Sequence, residues 1–134
     1  MTIENISWGE VLTSSAGMLR LDKETRGIDA NAISYRLSDP ATLGLFTMGK
    51  LPPLDISIRQ GNLATIWNLY VRRDSEVSDN IQEVLNACEK EAAQQGYEGL
   101  FIVGNLSLIV PARMSGFVMR GSDSPDIQYA IKRL

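Results

Sequence analysis

Two residue types that carry much of enzyme chemistry are nearly absent from this sequence. Its 134 residues include no histidine, which removes histidine-based nucleophilic triads, histidine metal ligands and imidazole proton shuttles together. The lone cysteine, Cys88, has no mate for an internal disulfide, and without histidine it cannot complete a structural zinc site within one chain. No metal is expected. Cys88 falls on the apolar face of a helical pattern, where a buried, inert thiol is expected in place of a nucleophile. A single cysteine also fits a reducing, cytoplasmic setting. Charge is spread thinly, with 13 Lys and Arg against 16 Asp and Glu and no cationic run longer than two residues. Nucleic acid is held by clustered cations, so no nucleic-acid partner is expected.

The elements that must position any site are read from periodicity. The length suits one domain over residues 1–134, and 44% hydrophobic with 22% charged residues is an ordinary globular balance. The first residues, Met1–Asn5, lack the basic and apolar regions of a signal peptide. Leu100–Ala112, the most apolar stretch, is too interrupted and short to cross a bilayer. Trp8, Val11, Leu12, Met18, Leu19 and Leu21 suggest a mixed helical N-terminal quarter, with Trp8 and Met18 as packing residues. A second short helix is expected near Asp29–Arg36, with Asp29 as its cap. Asp39-Pro40 marks a turn, Ala41–Met48 reads as strand and Leu51-Pro52-Pro53 as a break. Asp55–Arg59 alternates as a strand, and Gln60-Gly61-Asn62 reads as a hairpin turn. Ala64–Val71, rich in β-branched and aromatic residues, is a further strand; Trp67 within it is either core or the wall of a cleft.

From Asn80 to Gln95 the positions Ile81, Val84, Leu85, Cys88 and Ala92 form one helical face. Asp79 with Gln82 predicts a capping box, and Gly96 the C-terminal stop. Gly99–Val103 is a short buried strand. Asn105–Ser115 is a helix capped by Asn105 with Pro111 inside it, and Phe117–Arg120 and Ile127–Lys132 are closing strands. Leu106–Val110 would bury against the sheet or meet a partner protein. The order predicts an α/β (α+β) fold, a mixed sheet with helices on its faces.

Leu69-Tyr70-Val71, the helix Asn80–Gln95, the strand Leu100–Val103, then Asn105, Gly116-Phe117 eleven residues later, and the final strand Tyr129–Lys132 together resemble the second half of the GCN5-related acetyltransferases. The resemblance covers about 65 residues. It implies a mostly antiparallel sheet with helices on both faces, acetyl coenzyme A as cofactor, the backbone of Leu69 and Val71 as thioester contacts, Asn105 as a pantetheine contact besides its capping role, and Arg73, ahead of Arg72, as a phosphate contact. The base in such proteins is a carboxylate or a held water on the central strands. Ala64–Val71 has no Asp or Glu, and only Asn68 could position a water.

The departures from that pattern bear on function. The family's glycine-rich diphosphate loop lets backbone amides approach the ligand at a helix N-terminus. The corresponding positions here hold Glu76, Asp79 and Ile81. Acidic groups about 4 Å from a diphosphate would repel it by roughly 1 kcal/mol in water and roughly 4 kcal/mol at an effective dielectric of 20. The position of the family's acidic tyrosine is Ala112; Tyr70, Tyr97 and Tyr129 lie elsewhere. Two expectations follow. One is a degenerate fold that acts through a protein partner or as a homo-oligomer. Short, degenerate relatives occur among phage virion-associated proteins, whose Val-Gly-Asn-x-Ser segment Val103–Ser107 is similar to. The other is an acyl coenzyme A-dependent N-acetyltransferase acting on an amine.

Overall fold

In a computed structural model, residues 1–23, 29–50, 62–121 and 128–134 are described. They form β1 (Thr2–Ile6), α1 (Trp8–Ser14), β2 (Leu19–Arg20), β3 (Ile33–Ser38), β4 (Thr42–Lys50), β5 (Leu63–Val71), α2 (Val77–Gln94), β6 (Gly99–Gly104), α3 (Leu106–Met114), β7 (Val118–Gly121) and β8 (Gln128–Arg133).

The most apolar strands lie mid-sheet, because a central strand is covered on both faces. β4 and β5 are buried along nearly their whole length. The sheet runs β1-β3-β4-β5-β6-β8-β7, with β2 paired to β5 off that path. Every pairing is antiparallel except β5 with β6. Helix α2 supplies the parallel crossover.

Helix α2 buries Ile81, Val84, Leu85, Cys88 and Ala92, the stripe read from the sequence. Full burial of each large aliphatic side chain is worth about 1.5–3 kcal/mol. This stripe and Leu108 and Ala112 of α3 share one core with Tyr35, Phe46, Ile66 and Leu69. α1 packs on the other face, where Val11 joins Ile6 and Leu45; neighbours Leu45 and Phe46 point to opposite faces. Gly44 lets α2 approach the sheet closely. A β-carbon there would press on the Val84 side chain and stand 2.8 Å from the Tyr70 carbonyl oxygen.

Four expectations need correction. The N-terminal quarter is helical only over Trp8–Ser14. Thr2–Ile6 instead pairs with β3, and a sheet partner decides strand over helix for so short a run. The helix expected at Asp29–Arg36 is absent. Ile33–Ser38 is a strand flanked by β1 and β4, and Asp29 accepts the amides of Asn31 and Lys50 at 3.0 and 3.1 Å. α2 begins at Val77, three residues early, so Asp79 sits in its first turn instead of capping it. Gln82 closes no capping box; its amide donates to the Pro111 carbonyl at 2.9 Å. A capping box does occur in α1, between Ser7 and Glu10. Finally, Trp8 is 52% exposed, whereas Met18 packs with Val11 and Leu45 as expected. The strand read at Asp55–Arg59, the break at Leu51-Pro52-Pro53 and most of the turn at Gln60-Gly61-Asn62 lie outside the described residues.

Candidate functional site: a wedge between diverging strands

β5 and β6 pair only at their start, Leu63–Thr65 with Gly99–Phe101, and then separate. A bulge accompanies the divergence. Leu45 pairs with Tyr70 and Thr47 with Trp67, so Asn68 and Leu69 together face Phe46. Asn68 adopts φ +49°, a conformation that Asn tolerates better than most residues. Two residues opposite one is the geometry of a bulge. Here it aims two consecutive amides at one carboxylate: Asp22 accepts from Asn68 N–H at 3.1 Å and from Leu69 N–H at 2.8 Å.

The wedge is filled by the chain itself. Leu19 and Arg20 pair with Val71 and Tyr70, on the side of β5 that β6 has vacated. Leu21 N–H donates to the Leu69 carbonyl and Lys23 N–H to the Val103 carbonyl, both at 2.8 Å. Asn105 N–H donates to the Leu21 carbonyl at 3.0 Å, and Asp22 bridges Gly104 of β6. The segment 19–23 is thus hydrogen-bonded to both walls.

Asp22 is 2% exposed. Burial pushes its carboxyl above the usual range, against the opposing pull of Arg20 and of the two amides. Arg20 grips it with Nε at 3.2 Å and a terminal nitrogen at 3.3 Å, and stacks over Tyr70 with its guanidinium carbon 5.5 Å from the ring centre. Asn68 donates to the Thr47 hydroxyl at 3.2 Å, which shares a 2.8 Å hydrogen bond with Ser34.

Four of the site residues read from the sequence meet here. Asn68 and Leu69 form the bulge, Val71 pairs with both Gly44 and Leu19, and Asn105 stands on the far wall. Asn105 caps α3 as expected, accepting from Ser107 N–H at 3.0 Å, and its side-chain amide donates to the Arg20 carbonyl at 2.8 Å. Arg73 is not drawn in. It is exposed and makes no hydrogen bond or ion pair among the described residues. Arg72 instead pairs with Asp74 at 2.9 Å, whose carboxyl is lowered first by the Glu76 amide and then by Arg72. The site residues that the sequence left unread are Arg20 and Asp22, while Leu19 and Leu21 were read as part of a helical stripe. Their signal was the alternation Leu19-Arg20-Leu21-Asp22, a strand pattern embedded in a stretch that otherwise spaced like helix.

Cys88 is fully buried, and burial pushes its thiol well up, in keeping with an inert role. Ala112 is fully buried, and its methyl has no proton to give. Trp67 is core, 2% exposed. Among the described residues no group of three potential metal ligands occurs. No helix among them is long and apolar enough to cross a membrane.

With this geometry in hand, likeness to solved structures is informative. An IAA acetyltransferase from Bacillus cereus ATCC 14579 superposes with TM-score 0.69 at 15% identity, over 99% of each chain. A protein assigned as a streptothricin acetyltransferase from Bacillus anthracis str. Ames, solved in complex with acetyl coenzyme A, gives 0.66 at 13% identity over 99% of this chain and 97% of that one. The GNAT domain of S. lividans PAT gives 0.64 at 7% identity over 98% and 89%. The fold is that of the GCN5-related acetyltransferases. No family model and no curated protein matches the sequence, so the likeness is one of architecture.

The cofactor implied by this acetyltransferase fold does not fit the residues present. The polar groups of Leu69 and Asn105 that face the wedge are engaged by segment 19–23. At the mouth between α2 and α3, a pocket of about 320 Å³ is lined by Leu19, Val77, Asp79, Ile81, Val110 and Pro111 among others. Among the described residues that line it, the one charged side chain is the acidic Asp79, on the helix end where a diphosphate would need bare amides and positive potential.

Proposed function

We propose that this chain is a non-catalytic protein of the acetyltransferase fold that works by binding a protein partner or a second copy of itself. The observation that carries this reading is the chain's own strand lying in the wedge between β5 and β6, with Asp22 on the bulge amides. Ala112, Glu76, Asp79 and Ile81 support it from the sequence side. A surface suited to protein contact is available on α3. Leu106, Val110 and Met114 recur every four residues along one stripe and are 59%, 63% and 75% exposed, with Val118 of β7 at 61%. A virion component, as the segment Val103–Ser107 suggests, is one form such contact would take.

Isothermal titration with acetyl coenzyme A tests the reading. The expected result is no saturable heat at ligand concentrations up to about 1 mM, a binding free energy weaker than about −4 kcal/mol. A micromolar dissociation constant would end it.

One observation favours a second reading, an acyl coenzyme A-dependent N-acyltransferase. The bulge keeps two amides aimed at a single oxygen-bearing group, the arrangement that stabilises a developing oxyanion. Transfer from a thioester to an amine draws heavily on positioning, so the loss of one acid at Ala112 would slow the reaction without abolishing it. Thiol release from acetyl coenzyme A in the presence of a panel of amines would favour this reading, and silence across the panel at high protein concentration would remove it.

A further inference from the structure

The inference that follows rests on the protein-binding reading and names the partner. We propose that the exposed stripe of α3 pairs with the same stripe of a second copy of this chain, the two helices lying parallel across a two-fold axis.

α3 turns two unlike faces in opposite directions. Leu108 and Ala112 enter the core, and Gln82 of α2 holds that side down. Its amide donates to the Pro111 carbonyl, and its side-chain oxygen accepts from the Ser115 hydroxyl. The other face is left to solvent. A helix turns about 100° per residue, so Leu106, Val110 and Met114 span roughly 80° of that face and Arg113 stands about 20° beyond Leu106. All four are exposed. Val110 and Met114 border the groove that α3 shares with Val77, Asp79 and Ile81 of α2, whereas Leu106 and Arg113 lie outside it. The apolar stripe therefore has an acid along one flank, Asp79, and a base along the other, Arg113. Neither forms an ion pair among the described residues, while Arg20, Arg36, Arg72 and Lys132 each hold a carboxylate of this chain.

That arrangement selects a second copy. A patch with an acid on one flank and a base on the other is complementary to itself after a half-turn. This is the symmetry of the commonest oligomers, in which residue i of one copy meets residue j of the other and j meets i. With the axis running along α3, the α2 flank of each helix faces the outer flank of its copy, and Asp79 faces the Arg113 of the second copy at both ends of the exchange. An axis across the helices would make them antiparallel and would set Asp79 against Asp79 and Arg113 against Arg113, which like-charge repulsion disfavours. Charge thus fixes the direction of the pair as well as the partner. Withdrawal of Leu106, Val110 and Met114 from water supplies the main favourable term. α3 has nine residues, about 13.5 Å of helix. The contact belongs to the small, weak class of specific interfaces, for which a dissociation constant of about 10 µM is expected.

Sedimentation equilibrium of the full chain over about 1–300 µM, a range that brackets the expected constant, tests the pairing. Val110→Glu puts a charge in the middle of the stripe at an exposed site, and is expected to weaken the dimer at least about 30-fold with an unchanged far-ultraviolet circular dichroism spectrum. Asp79→Arg and Arg113→Glu are each expected to weaken it about tenfold, because each sets like charges face to face at both sites. An equimolar mixture of those two variants is expected to form a heterodimer of nearly wild-type strength, since opposite charges then meet at both sites again. Recovery on mixing excludes misfolding as the cause of either loss. A wild type that stays monomeric throughout the range overturns the dimer and leaves the non-catalytic reading standing. A dimer that survives Val110→Glu, that is indifferent to both charge reversals, or that is not recovered in the mixture overturns the proposal equally. Micromolar binding of acetyl coenzyme A to the same samples, with the dimer behaving as described, ends the non-catalytic reading and leaves the dimer standing.

Discussion

Asp22→Ala is expected to lower the unfolding free energy at neutral pH by about 2–4 kcal/mol, read from urea denaturation midpoints at constant slope. The substitution strips the acceptor from two amides, Asn68 and Leu69, that point into a buried site, and an orphaned buried donor costs about 1–3 kcal/mol. The lost Arg20 pair adds little, because the arginine side chain is 35% exposed and such pairs are screened. Asp22→Asn should cost less, since its carbonyl oxygen still accepts one of the two amides. A loss below about 0.5 kcal/mol, the range of an ordinary surface change, would mean that the carboxylate does not anchor segment 19–23.

The pH dependence of that difference has a definite sign. Burial raises the folded-state pKa of Asp22 above 3.8. A carboxyl whose pKa is higher folded than unfolded binds more protons in the native state between the two values, so stability falls as pH rises there. The advantage of wild type over Asp22→Ala should therefore be largest below about pH 3.9, and should shrink as pH climbs through the raised folded value. Paired melts of the two proteins cancel the other carboxylates. An advantage that grew with pH over that window would place the carboxyl in a less desolvated setting than this one.

Trp67→Ala carries the larger stability effect, an expected loss of about 3–5 kcal/mol. Trp67 is 2% exposed and among the largest fully buried side chains. It lies next to the bulge on β5 and packs over Gly49, where a β-carbon would stand 2.9 Å from its ring and 3.0 Å from the side chains of Asp29 and Ala32. Removing the indole opens a cavity between β5 and the segment leading into β3, and the strands that border it are fixed by their ladders and cannot collapse to fill it. Domains are stable by only about 5–15 kcal/mol, so the variant should be marginal at 37 °C. A thermal midpoint within a few degrees of wild type would show that Trp67 lines an open cleft instead of the core.

The sequence by itself determined the second half of the fold. The α2 stripe, the buried strand Gly99–Gly104, the Asn105 cap and the order of elements all arise from local periodicity and capping chemistry, which a linear chain displays directly. It also shows, as facts of residue type, that the chain has no histidine, an alanine at 112, and acidic or branched residues at 76, 79 and 81. Only the tertiary structure decided that Thr2–Ile6 and Ile33–Ser38 are strands, since each takes its conformation from partners far along the chain. The same holds for the wedge. Leu19–Lys23 meets residues 46 to 85 positions away, and the hydrogen bonds that seat it belong to backbone amides that every sequence carries alike. Residue type shows which side chains are present; which backbone groups are left needing a partner is settled only when two strands part and a third segment of the chain enters between them.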